Sequence, residues 1–191
     1  MAKVVVKSKV KKVKRKFPIE YKAPEVFNSI SLGHANVTDL RTLEGKTLKI
    51  NLMYVTGSMK NQNVRMTFKV NSVESGVCAT EVVKYEQIAY YLSRYVKAGT
   101  NLVEDSFVVK SKDGKDVRLK PFVVTKSATS KLVLTSIRDK VKELVSVEAA
   151  SKTSEELIHA IAMGKLQTGF RNEVKKVFPL KAFEFKTVVT E

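Results

Sequence analysis

The stretch Val64-Arg65-Met66-Thr67-Phe68-Lys69-Val70-Asn71 alternates apolar and polar residues without a break. Successive side chains of a strand point to opposite faces, so this period of two predicts a strand with one face in a core and Arg65 and Lys69 on the other. Upstream, Thr47-Leu48-Lys49-Ile50-Asn51-Leu52 repeats the pattern with Lys49 on its polar face. Between the two, Thr56-Gly57-Ser58 and Asn61-Gln62-Asn63 supply turn residues. Downstream, residues 106–110 and 116–124 read as two more strands, joined through Asp113-Gly114, a hairpin signal. Pro121 predicts that the second of these lies at a sheet edge or carries a bulge. Residues 182–189 give a final strand with Phe183 and Phe185 on one face.

Helical spacing accounts for most of what remains. Residues 81–97 place Tyr85, Ile88, Ala89, Leu92 and Val96 on one side, with Gly99 suited to end the helix. Residues 130–147 do the same with Leu134, Ile137, Val141, Leu144 and Val145. Thr153-Ser154-Glu155-Glu156 is a capping box that opens a short helix through Leu157, Ile158 and Ile161. Residues 166–178 carry Phe170, Val174 and Val177 and stop at Pro179. The fold expected is α+β: a mostly antiparallel, barrel-like sheet with about four helices and a disordered basic N-terminal tail. The boundary falls at 17/18, with residues 1–17 as tail and 18–191 as one α+β domain.

Charge narrows the function. The 191 residues hold 35 Lys and Arg against 19 Asp and Glu, a net charge of +16. Such an excess repels itself unless a polyanion relieves it. From Lys3 to Lys16 eight cations occur with no acid: Lys3, Lys7, Lys9, Lys11, Lys12, Lys14, Arg15 and Lys16. Too few apolar residues accompany them to offset the ordering entropy, so this arm is expected to order only on nucleic acid. Lys131, Arg138 and Lys142, at spacings of seven and four, form a cationic stripe opposite the apolar face of their helix. Lys165, Arg171, Lys175 and Lys176 decorate the last helix on a broader arc. No apolar run approaches the ~18 residues that span a bilayer, which disfavours a membrane partner.

The search for chemistry returns little. G-x-S-x-G, the Walker loop, G-x-G-x-x-G and H-E-x-x-H are all missing. Glu156-x-x-His159 is half of a di-iron motif whose second copy the chain lacks. His34 reads as a loop residue, and Cys78, the one cysteine, as small-residue packing. No cofactor, metal or small-molecule substrate is implied. Zinc-finger spacing, a basic zipper and an RNP-like aromatic run are also missing, so contact is expected mainly with phosphate, sugar and RNA shape.

Several segments together resemble a known family. Tyr21-Lys22-Ala23-Pro24-Glu25-Val26-Phe27-Asn28 is similar to the start of the folded region in the archaeal and eukaryotic small-subunit ribosomal protein family S-three-A-e (S3Ae). Lys112-Asp113-Gly114 leading into Val117-Arg118-Leu119 and Phe122, then Gly164-Lys165-Leu166, and Val174-Lys175-Lys176-Val177-Phe178-Pro179-Leu180-Lys181 follow in family order. The modest length resembles archaeal members. The resemblance implies a stoichiometric, non-catalytic component of the cytoplasmic ribosome. It would sit on the platform of the small subunit, against small-subunit ribosomal RNA and neighbouring platform proteins, with messenger RNA nearby. Lys22 and Lys181 join the expected RNA contacts on this ground. The chain departs from the family pattern in having Phe17 where a tryptophan is usual. Fewer cations than usual occur in 81–97 and in 125–131.

Overall fold

The computed structural model of the protein describes residues 16–74 and 76–190. Lys3, Lys7, Lys9, Lys11, Lys12, Lys14 and Arg15 lie outside the described residues. The alternating stretch is strand β4 (Val64–Glu74), after β1 (Phe17–Lys22), β2 (Ser31–Val37) and β3 (Thr47–Asn51). Val64, Met66, Phe68 and Val70 are buried while Arg65 and Lys69 are exposed, as the period of two requires. β3 pairs antiparallel with β4, and Asn51 then starts helix α1 (Leu52–Thr56). The Asn51 side chain accepts the Met53 N–H at 3.0 Å, and Gly57, at φ +65°, ends that helix in a conformation natural to glycine.

Residues 81–97 depart from the helix expected of them. β4 turns through Gly76 into an equally long antiparallel strand, β5 (Val77–Gln87), and only Ala89–Ser93 is helical (α2). The reason is a bulge. Thr67 pairs with Lys84 and Phe68 with Val82, so Val83 is an extra residue in β5. Burial therefore runs Cys78, Thr80, Val82 and then jumps to Tyr85 and Gln87. A spacing of three in the middle of a strand imitates a helical face.

The remaining strands are β6 (Leu102–Glu104), β7 (Phe107–Lys110), β8 (Asp116–Thr125) and β9 (Leu180–Thr190). β8 pairs with β9 on one edge, and with β6 and β7 in succession on the other. Pro121 sits at a register shift in β8, so the bulge alternative holds. One edge of β5 pairs with β4; the other is divided between β1, the one parallel pairing among the described residues, and β9.

The barrel-like sheet expected from the sequence is corrected by this topology. The sheet forks at β5, and among the described residues β2, β3, β6 and β7 end its branches without pairing to one another. It stays open because helices, rather than the sheet's own far edge, cover its apolar surface. The helices are α3 (Lys131–Ser151), α4 (Ser154–Ala162) and α5 (Lys165–Val174). They pack on β7, β5 and β9 respectively. Five α-helices are formed among the described residues instead of about four: the short α2 stands where the long helix was expected at 81–97, and α1 is added between β3 and β4.

The main core joins Met66, Phe68, Val82, Tyr85 and Phe185 of the sheet to Ile137, Ile158 and Phe170 of the helices. On β9, Phe183 and Phe185 share the Phe170 side, at ring-centroid separations of 5.8 and 6.2 Å in edge-to-face geometry. A second cluster around Ile19, Tyr21 and Cys78 holds β1 to β5. The β7–β8 turn has a further task. Lys112 N–H donates to Lys152 O at 3.0 Å, and the Asp113 carboxylate accepts the Ser154 N–H at 3.1 Å. The hairpin thereby clamps the junction of α3 and α4.

Candidate nucleic-acid interface

Helix α3 buries Ile137, Val141, Val145 and Ala149. At 3.6 residues per turn Lys131, Arg138 and Lys142 flank this buried face and do not lie opposite it as the sequence pattern suggested, and all three are exposed. Arg138 Nε lies 3.4 Å from Asp105 Oδ2. Lys131 and Lys142 form no ion pair among the described residues.

Helix α5 buries Leu166, Gln167, Phe170 and Val174 and exposes Lys165, Arg171 and, at its end, Lys175 and Lys176. Lys176 pairs with Glu173 at 2.8 Å, and this hydrogen bond holds the Glu173 carboxyl below its usual range. Arg171 Nη2 donates to Lys181 O at 3.1 Å, and Lys181 Nζ donates to Tyr95 O at 2.8 Å. Arg171 and Lys181 are thus tied into one chain of contacts linking α5, β9 and the loop after α2, which fixes where they point.

Where α5 meets β9 and the 60–61 turn there is a cavity of about 480 Å³. Its exposed lining includes Lys60, Arg171 and Lys175; its buried lining includes Gln167 and Phe183. Half-buried Glu184 also lines it and accepts from Gln87 Nε2 at 2.9 Å. Burial pushes the Glu184 carboxyl above its usual range, against the opposing pull of Gln87 and Arg171. A larger hollow of about 820 Å³ beside β1 is lined by Phe17, Pro18, Ile19 and Leu40 among others, with no cation in its described lining.

Of the cations singled out in the sequence, then, the cavity gathers Arg171 and Lys175. Lys16 and Lys22 lie exposed at the two ends of the β1 segment, and Lys131, Arg138, Lys142, Lys165, Lys176 and Lys181 lie outside the cavity lining. Lys60, between the two turn segments, and Gln167 and Glu184 carried no signal of their own in the sequence. A glutamine at a core position of the α5 pattern was the one available hint.

The residues set aside as non-catalytic have structural surroundings. His159 meets Phe27 edge-on at 5.1 Å between centroids, and burial, aided by Lys165, lowers its imidazole from the usual range. Cys78 is fully buried, and burial pushes its thiol up. Glu156 is used as a cap, its carboxylate accepting the Thr153 N–H at 3.0 Å. Among the described residues no group of three His, Cys, Asp or Glu side chains is placed to hold a metal, and no helix is long and apolar enough to cross a membrane.

An open α+β sheet, a strong excess of positive charge and exposed lysines on two fixed helices define a basic binding protein suited to a polyanionic partner. The chain belongs to the Ribosomal S3Ae family, whose model matches residues 5–190. It is similar to the small ribosomal subunit protein eS1 of Haloquadratum walsbyi, with 31% identity over 88% of this chain and 80% of the relative. The eS1 protein of Nanoarchaeum equitans is 28% identical over 93% of this chain and 90% of its own length. That of Methanobrevibacter smithii is 26% identical over 96% of both chains.

Proposed function

We propose that this chain is a structural constituent of the small ribosomal subunit in the cytoplasm, binding small-subunit ribosomal RNA and performing no catalysis. The observation that carries this reading is the family match across residues 5–190, supported by relatives named as small-subunit proteins that are covered over 80% and 96% of their length. The physical case agrees. A net charge of +16 is relieved by a polyanion, and each neutralised phosphate releases counterions and strengthens binding.

The residues assigned to RNA are Lys7, Lys9, Lys11, Lys12, Lys14, Arg15 and Lys16 of the N-terminal arm. To these we add Lys22, Lys131, Arg138, Lys142, Lys165, Arg171, Lys175, Lys176 and Lys181. Cations on α3 and α5 stand on fixed helices, so they set the orientation of the protein on RNA, whereas the arm adds affinity that depends little on shape. The site assigned is the platform near the messenger exit, beside other platform proteins. The test is sedimentation in high-salt gradients. A constituent remains at one copy per small subunit, while a free RNA-binding or chaperone factor of the same fold washes off.

A further inference from the structure

The cavity between α5, β9 and the 60–61 turn has a polarity that the binding of phosphate alone does not explain. Its exposed side is cationic: Lys60, Arg171 and Lys175. Its buried side holds acceptors, one of which, Gln167 Oε1, is closed off from water. Gln167 is 7% exposed, and its Nε2 donates to Ile161 O at 2.7 Å, which leaves Oε1 without a partner among the described residues. Glu184 adds a carboxylate that uses one oxygen on Gln87 Nε2. Phe183 and Met163 contribute apolar wall. A buried acceptor left without a donor is costly, as is a carboxylate drawn out of water.

We propose that this cavity receives one extruded ribosomal RNA nucleotide, a guanosine, with its phosphate at the rim and its base edge at the floor. The inference rests on the RNA-binding reading above and adds to it a site that reads a base. The occupant follows from the sign of each layer. An acidic peptide satisfies the rim but is repelled by Glu184, and a basic peptide satisfies Glu184 but is repelled by three cations. A nucleotide has an anion at one end and N–H donors at the other. Among the bases, guanine carries two adjacent donors, N1–H and the N2 amino group, on its pairing edge. Adenine and cytosine offer an amino donor beside an acceptor, and uracil offers one N–H between two carbonyls. Unstacked bases bound on their pairing edge are the usual means by which proteins read RNA sequence, and a volume of about 480 Å³ lies within the ~300–1,000 Å³ range of small-ligand sites.

The experiment has two arms and uses the full chain. In the first, Glu184→Gln and Gln167→Met are titrated against small-subunit ribosomal RNA and against an unrelated duplex at several salt concentrations, beside Lys175→Glu. Each floor variant is expected to lose about ten-fold in affinity for the ribosomal RNA, with an unchanged salt slope and unchanged duplex binding. In the second, a photoreactive side chain replaces exposed Thr168 on the cavity wall in assembled subunits, and the crosslink is expected on a single guanosine. Wild-type affinity in both floor variants, or a crosslink to a protein neighbour or to another base, overturns the proposal. If those results accompany a loss of ribosomal RNA binding in Lys175→Glu, the cavity assignment falls and the RNA-binding reading stands. If the wild-type chain neither prefers ribosomal RNA nor stays with small subunits, the broader reading falls first. Glu184→Gln preserves side-chain volume, so one floor variant remains testable if Gln167→Met folds poorly.

Discussion

Asp113→Ala will destabilise the protein by about 1.5 kcal/mol, although Asp113 is itself exposed and belongs to a hairpin turn. Helix α4 begins with donors that have no partner inside the helix. The Thr153 side chain accepts from Glu156 N–H at 3.3 Å, and Glu156 returns the bond to Thr153 N–H. The Ser154 N–H lies between them and is satisfied from outside, by Asp113 at 3.1 Å. Ser154 is 2% exposed, so water does not replace the lost carboxylate. Loss of a capping oxygen costs about 0.5–2 kcal/mol, and removal of an anion from a helix N-terminus costs a further ~0.3–1 kcal/mol. One term opposes these: the Asp113 charge helps to raise the carboxyl of half-buried Glu155, so its removal relieves a repulsion. The net of about 1.5 kcal/mol corresponds to a fall in Tm of about 3–6 °C for a chain of this length. Asp113→Asn keeps an acceptor and should cost about a third as much. Urea unfolding of the full chain measures the change, and amide exchange at Ser154 localises it. A midpoint within about 0.3 kcal/mol of wild type, or unchanged protection of Ser154, refutes the clamp.

Deleting residues 2–16, with their eight cations, should flatten the salt dependence of RNA binding by several units of log K per log salt, at about 0.7–0.9 per neutralised phosphate. The urea midpoint of the deletion variant should stay close to that of the full chain. Reversing Lys175 should reduce discrimination between ribosomal RNA and an unrelated duplex more than reversing Lys176, because Glu173 already neutralises Lys176; competition binding decides this. Glu184→Gln should raise stability at neutral pH and leave it unchanged under acid. The native carboxyl sits above its usual range, so the folded state holds the proton more tightly and the stability this contributes is lost as pH rises. Urea midpoints across pH test it: Arg171 and Gln87 oppose the shift and Tyr91 lies nearby, and a variant with the wild-type pH profile excludes a charged, costly Glu184.

The sequence was most legible where one period held over a whole element. β4 needed only its alternation, and α3 and α4 only their apolar spacing and the Thr153 box. Residues 81–97 imitate one long helix because the apolar set Tyr85, Ile88, Ala89, Leu92 and Val96 runs from the end of the bulged β5 into the short α2 and the loop after it. β2 gave no pattern at all, since none of its residues is buried and Gly33 interrupts it. The barrel failed for another reason. Alternation reveals that strands are half-buried but not whether a helix or another part of the same sheet covers them, and here α3, α4 and α5 do so. The cavity was invisible because Lys60, Gln167 and Glu184 belong to three separate elements, each with an ordinary reading in its own segment.

Charge counted along the chain also overstates what is available to a partner. Arg138, Lys140, Lys152 and Lys176 on or beside the long helices are each matched by a carboxylate, as are Lys84 and Lys186 on the sheet and Lys115 in the β7–β8 turn. Exposed pairs of this kind are worth little to stability, about 0–1 kcal/mol, yet each one cancels a cation at short range. On α3 this leaves Lys131 near one end and Lys142 in the middle; on α5 it leaves Lys165 and Lys175 at opposite ends with Arg171 between them. The pairing therefore turns a diffuse positive surface into a few separated fixed points. Separated points define an orientation on a rigid polyanion, which a uniform layer of charge does not. On the RNA-binding reading proposed above, removing Glu173 is expected to free a cation, strengthen attraction to any RNA and weaken the distinction between one RNA and another.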